Sequence, residues 1–249
     1  MGTMGTLAWI ACGALGAAQA EAGSLFPVIP AGESAHVTLY AQQDRAPDVQ
    51  RLERELSGVA RMLGESRVPM VKLFYYEHAS DVASATGFYA GGITYPGLGQ
   101  IHSTAYRVRH EMVHLVASRL GGDPGAFFQE GLAVAIGDGG RHNDGRSVDD
   151  VVRGARRGAT MEEWTARFEA VDPQEGYAIA GSFMRFLLKR HGIERVVGFF
   201  RASATGRSAQ AYEQAFGETL EDTGSAWMAR LFGPSARAGS GSRRRRASP

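Results

Sequence analysis

The chain has 249 residues, 44% of them hydrophobic and 21% charged, a composition that excludes a disordered chain and suffices for one sizeable core. Its formal charge is +1, yet the last fifteen residues, SARAGSGSRRRRASP, hold five of the 27 basic residues and no acidic one. That leaves the body with 22 basic against 26 acidic residues, a net charge of −4, so the basic face that general nucleic-acid binding needs is not expected.

The first twenty residues, MGTMGTLAWIACGALGAAQA, carry no charged side chain and contain an apolar run from Leu7 to Ala18. They close on Ala18-Gln19-Ala20, a small-x-small pattern that predicts a signal peptide cut after Ala20 and an exported chain, periplasmic or secreted. No Lys or Arg precedes the run. It is too short for an ordinary membrane span, and no span is expected in the mature chain. Cys12 is the only cysteine, so removal of this segment leaves a chain without disulfides.

Residues 21–35 read as an N-terminal extension. HVTLYAQ (36–42) then alternates as a strand does, and DVQRLERELSGVARMLGE (48–65) repeats Val49, Leu52, Leu56, Val59 and Leu63 at helical spacing. VPMVKLFYY (68–76) follows as a second strand. Residues 83–103 are glycine-rich and aromatic, and predict a hairpin around Tyr95-Pro96-Gly97. A phosphate loop is disfavoured there, because no Gly-Lys-Ser/Thr follows. From Tyr106 onward the pattern is helical, over 106–120, 125–136, 148–157, 161–168, 175–190, 193–202, 208–216 and 219–232. The expected class is α+β, with a small N-terminal mixed sheet and a mainly helical second half in one domain over 36–232. The tail, 233–249, reads as disordered. Its four consecutive arginines, Arg243 to Arg246, are either solvated or in contact with an anionic surface.

The chemistry concentrates in RVRHEMVHLVAS, residues 107–118. Successive helical residues advance about 100°, so His110 and His114 stand about 40° apart on one face, one turn along the axis. Two imidazoles so placed can reach one cation. Glu111 lies on the neighbouring edge of that face, as in the H-E-x-x-H arrangement, where zinc lowers the pKa of a water and the glutamate takes its proton. A third ligand is needed. The metzincin continuation requires Gly and His where this chain has Ala117 and Leu120, which excludes that class. A glutamate on the next helix is the other common solution, and GAFFQEGLAVAIG supplies Glu130 beyond a GGDPG turn. A carboxylate at the start of a mostly apolar helix needs a partner or exposure. Zinc is one such partner, and an exposed position favoured by the helix dipole is the alternative.

HEMVH, a short turn, FFQEGLAVA and then YAIAGSFMRFLLKRHG together resemble the gluzincin zinc metallopeptidases, specifically the peptidase-MA-like group found in bacteria. The resemblance covers about residues 36–232 and is specific mainly in the two zinc segments. It implies a zincin-like fold, a peptide or protein substrate, zinc held by His110, His114 and Glu130, and Glu111 as the general base.

Peptide hydrolysis also needs a donor for the oxyanion. Tyr177 is best placed for this by sequence order, with packing in the core as its alternative role, and His102 and Tyr106 are weaker candidates. The loop GDGGRHNDGRSVDD (137–150) lacks the spacing of a calcium site and reads as an exposed loop beside the cleft. A different class of function also stays open, in which the zinc is structural and the chain is a binding or scaffold protein of the cell envelope.

Overall fold

The computed structural model describes residues 28–42, 46–154, 160–170, 172–204 and 208–233. The expected signal peptide with Cys12, and the basic tail from residue 234, lie outside the described residues.

The architecture is mixed α/β. Five strands, β1 (Ile29–Glu33), β2 (Val37–Ala41), β3 (Val71–Tyr76), β4 (Gly92–Tyr95) and β5 (Gln100–Thr104), form one sheet in the order β1-β2-β3-β5-β4. The central pairs β2/β3 and β3/β5 are parallel, and the outer pairs β1/β2 and β4/β5 antiparallel. Leu39, Leu73 and Ile101 come opposite one another in this register, so one sheet face is apolar across β2, β3 and β5 at this level. All three are fully buried. Thr94 stands opposite Ile101, and Gly92 opposite Ser103, on that same face.

The helix α1 (Val49–Met62) covers the apolar face with Leu52, Leu56 and Val59. Its first turn is capped by Asp48, whose side chain accepts the Gln50 N–H. The helix α3 (Val108–Ala117), which carries the two histidines of the motif, is buried on nearly all sides. It packs against α1, β4 and β5 on one flank and against the segment after α4 (Ala126–Leu132) on another. Behind these lies the helical half, α5 (Val148–Gly154), α6 (Met161–Ala166), α7 (Pro173–His191), α8 (Ile193–Ala202), α9 (Ser208–Phe216) and α10 (Leu220–Phe232). One buried apolar cluster runs from Val37 to Leu231 and joins the two halves. Among the described residues no helix is long and apolar enough to cross a membrane.

Two elements differ from the sequence expectation. The extension 21–35 contributes β1, an edge strand with Pro30, Gly32 and a register shift between them; Pro is tolerated there because an edge strand leaves N–H positions unpaired. A short helix, α2 (Ala79–Thr86), occupies the start of the stretch expected to be a hairpin. The hairpin itself is β4 and β5, joined by a 3-10 turn over Pro96–Leu98.

Candidate metal centre

The side chains of His110, His114 and Glu130 converge, with one ligand atom from each all within 4.8 Å of one another. His110 Nε2 lies 3.1 Å from His114 Nε2 and 3.2 Å from Glu130 Oε2, and His114 Nε2 lies 3.4 Å from Glu130 Oε1. Tetrahedral N and O ligands at about 2.0–2.1 Å from an ion stand about 3.3 Å from each other. The donor set and its spacing therefore fit a metal ion. His110 is fully buried, and the His114 and Glu130 side chains retain 13% and 9% of their exposure, so the cluster is largely shielded from solvent.

The local structure explains the convergence. One helical turn brings both imidazoles to one face of α3, and α4 returns beside it after the turn at Gly121–Gly125. α4 then widens into a π-helical turn, Ala133–Gly137, in which the Asp138 N–H bonds the Ala133 carbonyl at 3.2 Å. Gly137 makes this possible, because a Cβ there would sit 2.6 Å from His110 Cα. The close approach delivers Asp138 to His110, whose Nδ1–H donates to Asp138 Oδ2 at 2.9 Å. A carboxylate on the distal nitrogen fixes the tautomer and ring orientation that a ligating imidazole needs.

Charge follows the geometry. Burial and the nearby Arg107 oppose protonation of His110, but hydrogen bonds to Asp138 and Glu130 outweigh them and push its pKa up to about 9. Burial likewise opposes ionisation of Glu130, and the two histidines reverse it, holding the carboxyl well below the usual range. A metal ion has to displace the His110 proton, so metal affinity falls as the pH is lowered.

Glu111 is 1% exposed. Thr94 on β4 places its hydroxyl 2.7 Å from Glu111 Oε2, whereas Oε1 is buried and has no hydrogen-bond partner among the described residues. Gly92 forms the floor beneath it: a Cβ there would meet Oε1 at 2.5 Å. A buried carboxylate oxygen kept free of protein donors is available to a water or a proton.

No protein-family model matches the chain, and no curated protein matches it. What the site can do follows from its own geometry.

The structure brings His110, His114 and Glu130 together, sets the Glu111 carboxylate against Thr94 and Gly92, and adds three residues that the sequence did not single out: Asp138, Thr94 and Arg107. Tyr177 is half-buried at the start of α7, with its ring under the Arg107 guanidinium at 5.7 Å and against Phe168. Tyr106 is 64% exposed, with its hydroxyl over Gly91 at the mouth of the hairpin. The loop 137–150 is more than an exposed flank, since its second residue is Asp138.

His102 belongs to the opposite sheet face. It stacks on Phe74 at 4.4 Å, in a ladder that continues to Tyr40, and its Nδ1 is hydrogen-bonded with the Tyr76 hydroxyl at 2.9 Å. Burial pushes the Tyr76 pKa up to about 12, with Asp81 adding to it, so the phenol keeps its proton. Burial also lowers His102 to about 4. As the pH falls below 6.5 the unfolded chain takes up a proton that the folded ring refuses, so stability drops until the pH reaches the folded value and is level below it. Discounted for partial exposure, this amounts to the order of 1 kcal/mol, about 2–4 °C in melting temperature. His102→Phe is expected to melt with a shallower pH dependence than the parent between pH 6.5 and 4. Parallel melting curves for the two would show that His102 is not held neutral.

Proposed function

We propose that the chain is a zinc-dependent peptidase of the gluzincin, peptidase-MA-like type, built on a zincin-like fold. The observation that carries this reading is the spacing of three ligand atoms at 3.1–3.4 Å, two of them on the helix whose Glu111 keeps one carboxylate oxygen without a hydrogen-bond partner among the described residues. The sequence resemblance of HEMVH and FFQEGLAVA points the same way, and the hairpin strand β4 packed on α3 accords with such a fold.

His110, His114 and Glu130 would hold the ion, with Asp138 orienting His110. Zinc bound there supplies a Lewis acid that polarises a carbonyl and lowers the pKa of a water. Glu111 Oε1 takes one proton from the attacking water as its oxygen bonds the carbonyl carbon. The same oxygen then gives that proton to the amide nitrogen as the C–N bond breaks. Thr94 holds Oε2, so that Oε1 keeps its direction through both transfers. Three protein ligands leave a coordination position for substrate, which favours a catalytic over a purely structural ion. Export remains part of the proposal on the sequence pattern alone, and the arginine tail is either solvated or in contact with an anionic surface.

The test is hydrolysis of casein and of a quenched fluorescent peptide library by the zinc-loaded chain, before and after a chelator. Turnover that is lost with the chelator and regained with zinc is expected. Stoichiometric zinc without turnover on any substrate would instead favour a structural ion in a binding or scaffold protein.

A further inference from the structure

The first residue of the motif segment, Arg107, is a charged side chain buried to 7% exposure at the N-terminal cap of α3. Burying a guanidinium is unfavourable unless its donors are used. One is used plainly: Nη1 donates to Asp138 Oδ2 at 3.1 Å, on the same oxygen that receives the His110 Nδ1–H. The π face of Tyr177 supports the group from 5.7 Å. The other end is different. Nη2 faces His110 Nε2 at 3.2 Å, and that nitrogen is the one turned toward His114 and Glu130.

An imidazole nitrogen has one lone pair in the ring plane. In the neutral ring, with Nδ1–H given to Asp138, Nε2 can accept one Nη2 hydrogen; once Nε2 binds a cation, it has no lone pair left for Arg107. The Nη2 hydrogens are then aimed at the metal side of His110 without a protein acceptor in the hydrogen bonds of the site. A fixed positive donor at that edge is what stabilises charge developing on a substrate oxygen, because the donor is already desolvated and oriented.

We propose that Arg107 is the residue that receives the carbonyl oxyanion during hydrolysis, and that Tyr177 is a positioning residue that acts through it. The proposal rests on the peptidase reading. In that reaction the water oxygen bonds the carbonyl carbon, the carbonyl π pair moves onto oxygen, and Glu111 holds the water's proton. Arg107 binds that oxygen while the charge lasts. The pair returns to re-form C=O as the C–N bond breaks and the nitrogen takes the proton, so Arg107 ends unchanged.

The experiment compares the zinc-loaded parent, Arg107→Lys, Tyr177→Phe and Tyr177→Leu. Zinc content, kcat and KM are measured, together with calorimetric Kd for an N-phosphoryl dipeptide whose tetrahedral oxygens mimic the oxyanion. Arg107→Lys keeps a charge for Asp138 but loses the planar fork, and is expected to lose about 100-fold in kcat with little change in KM. Its Kd for the phosphoryl dipeptide weakens in parallel. Tyr177→Phe keeps the ring face and stays within about 3-fold of the parent, whereas Tyr177→Leu loses about 10-fold on both readouts. A large loss in Tyr177→Phe would overturn the assignment by making the phenol the donor, a result that holds even if Arg107→Lys fails to load zinc. Parent-like kcat and Kd in Arg107→Lys would overturn it alone, leaving the peptidase reading intact. A zinc-loaded parent that neither hydrolyses peptides nor binds the probe would remove both.

Discussion

Glu111→Gln is expected to reduce peptide turnover by about 10²–10⁴-fold, the contribution typical of a positioned general base, while zinc content and melting temperature stay at parental values. Gln matches Glu in shape, and the Thr94 hydroxyl 2.7 Å from Oε2 can still bond a side-chain amide oxygen. What the amide cannot do is take a proton from water at the position of Oε1, the oxygen that no donor among the described residues occupies. Gly92 sets the tolerance of this arrangement, because the carboxylate rests where any Cβ would come within 2.5 Å of Oε1. Rates and zinc content measured side by side decide the matter. A variant that retained full zinc and parental turnover would contradict the assignment of Glu111 as base.

The second large effect is expected at a residue with no side chain. Ala in place of Gly137 would put a Cβ 2.6 Å from His110 Cα and 2.9 Å from His110 N, backbone atoms of a buried helix that cannot rotate away. The π turn and α3 must separate, and overpacking of this kind destabilises by about 1–3 kcal/mol, roughly 2–12 °C in melting temperature for a chain of this size. The same displacement draws Asp138 from His110 Nδ1, which is expected to weaken metal affinity by about 10–100-fold. Thermal melts with and without added zinc, and a zinc titration against a competing chelator, measure both effects. A stable Gly137→Ala with parental metal affinity would show that the close contact is not what seats Asp138.

Much of the fold was legible because long helices advertise a buried face. Leu52, Leu56 and Val59 recur at helical spacing and are the residues that α1 buries. The helices over 193–202 and 208–216 begin and end where the pattern places them. Short and exposed elements were not legible by the same rule. α2 buries only one apolar side chain, Val82, so it has no periodicity; its signals were the cap residues His78, Asp81 and Gly87. β1 is nearly all exposed, and its Pro30 and Gly32 read as a break in structure.

The site divides along a similar line. His110 and His114 come together by helical geometry alone, and a short turn is enough to return Glu130 to them. Thr94, Arg107 and Asp138 meet the motif only through packing: Thr94 by the register of a hairpin, Asp138 by a π turn that lets Gly137 touch α3. A ligating imidazole calls for a carboxylate on its other nitrogen. That requirement says a partner exists, and in this chain the acidic residue immediately after the second helix fills it. Tyr177 was placed by sequence order near the site, and the structure sets it beneath Arg107.

The central claim is that three side chains from two helices hold one zinc ion. Elemental mass spectrometry of the purified chain beside Glu130→Ala tests it most directly. About one zinc per parent chain and a marked loss in the variant are predicted, since two imidazoles alone make a much weaker site. A parent that carries no zinc even after reconstitution, or a Glu130→Ala variant that carries as much as the parent, would contradict it.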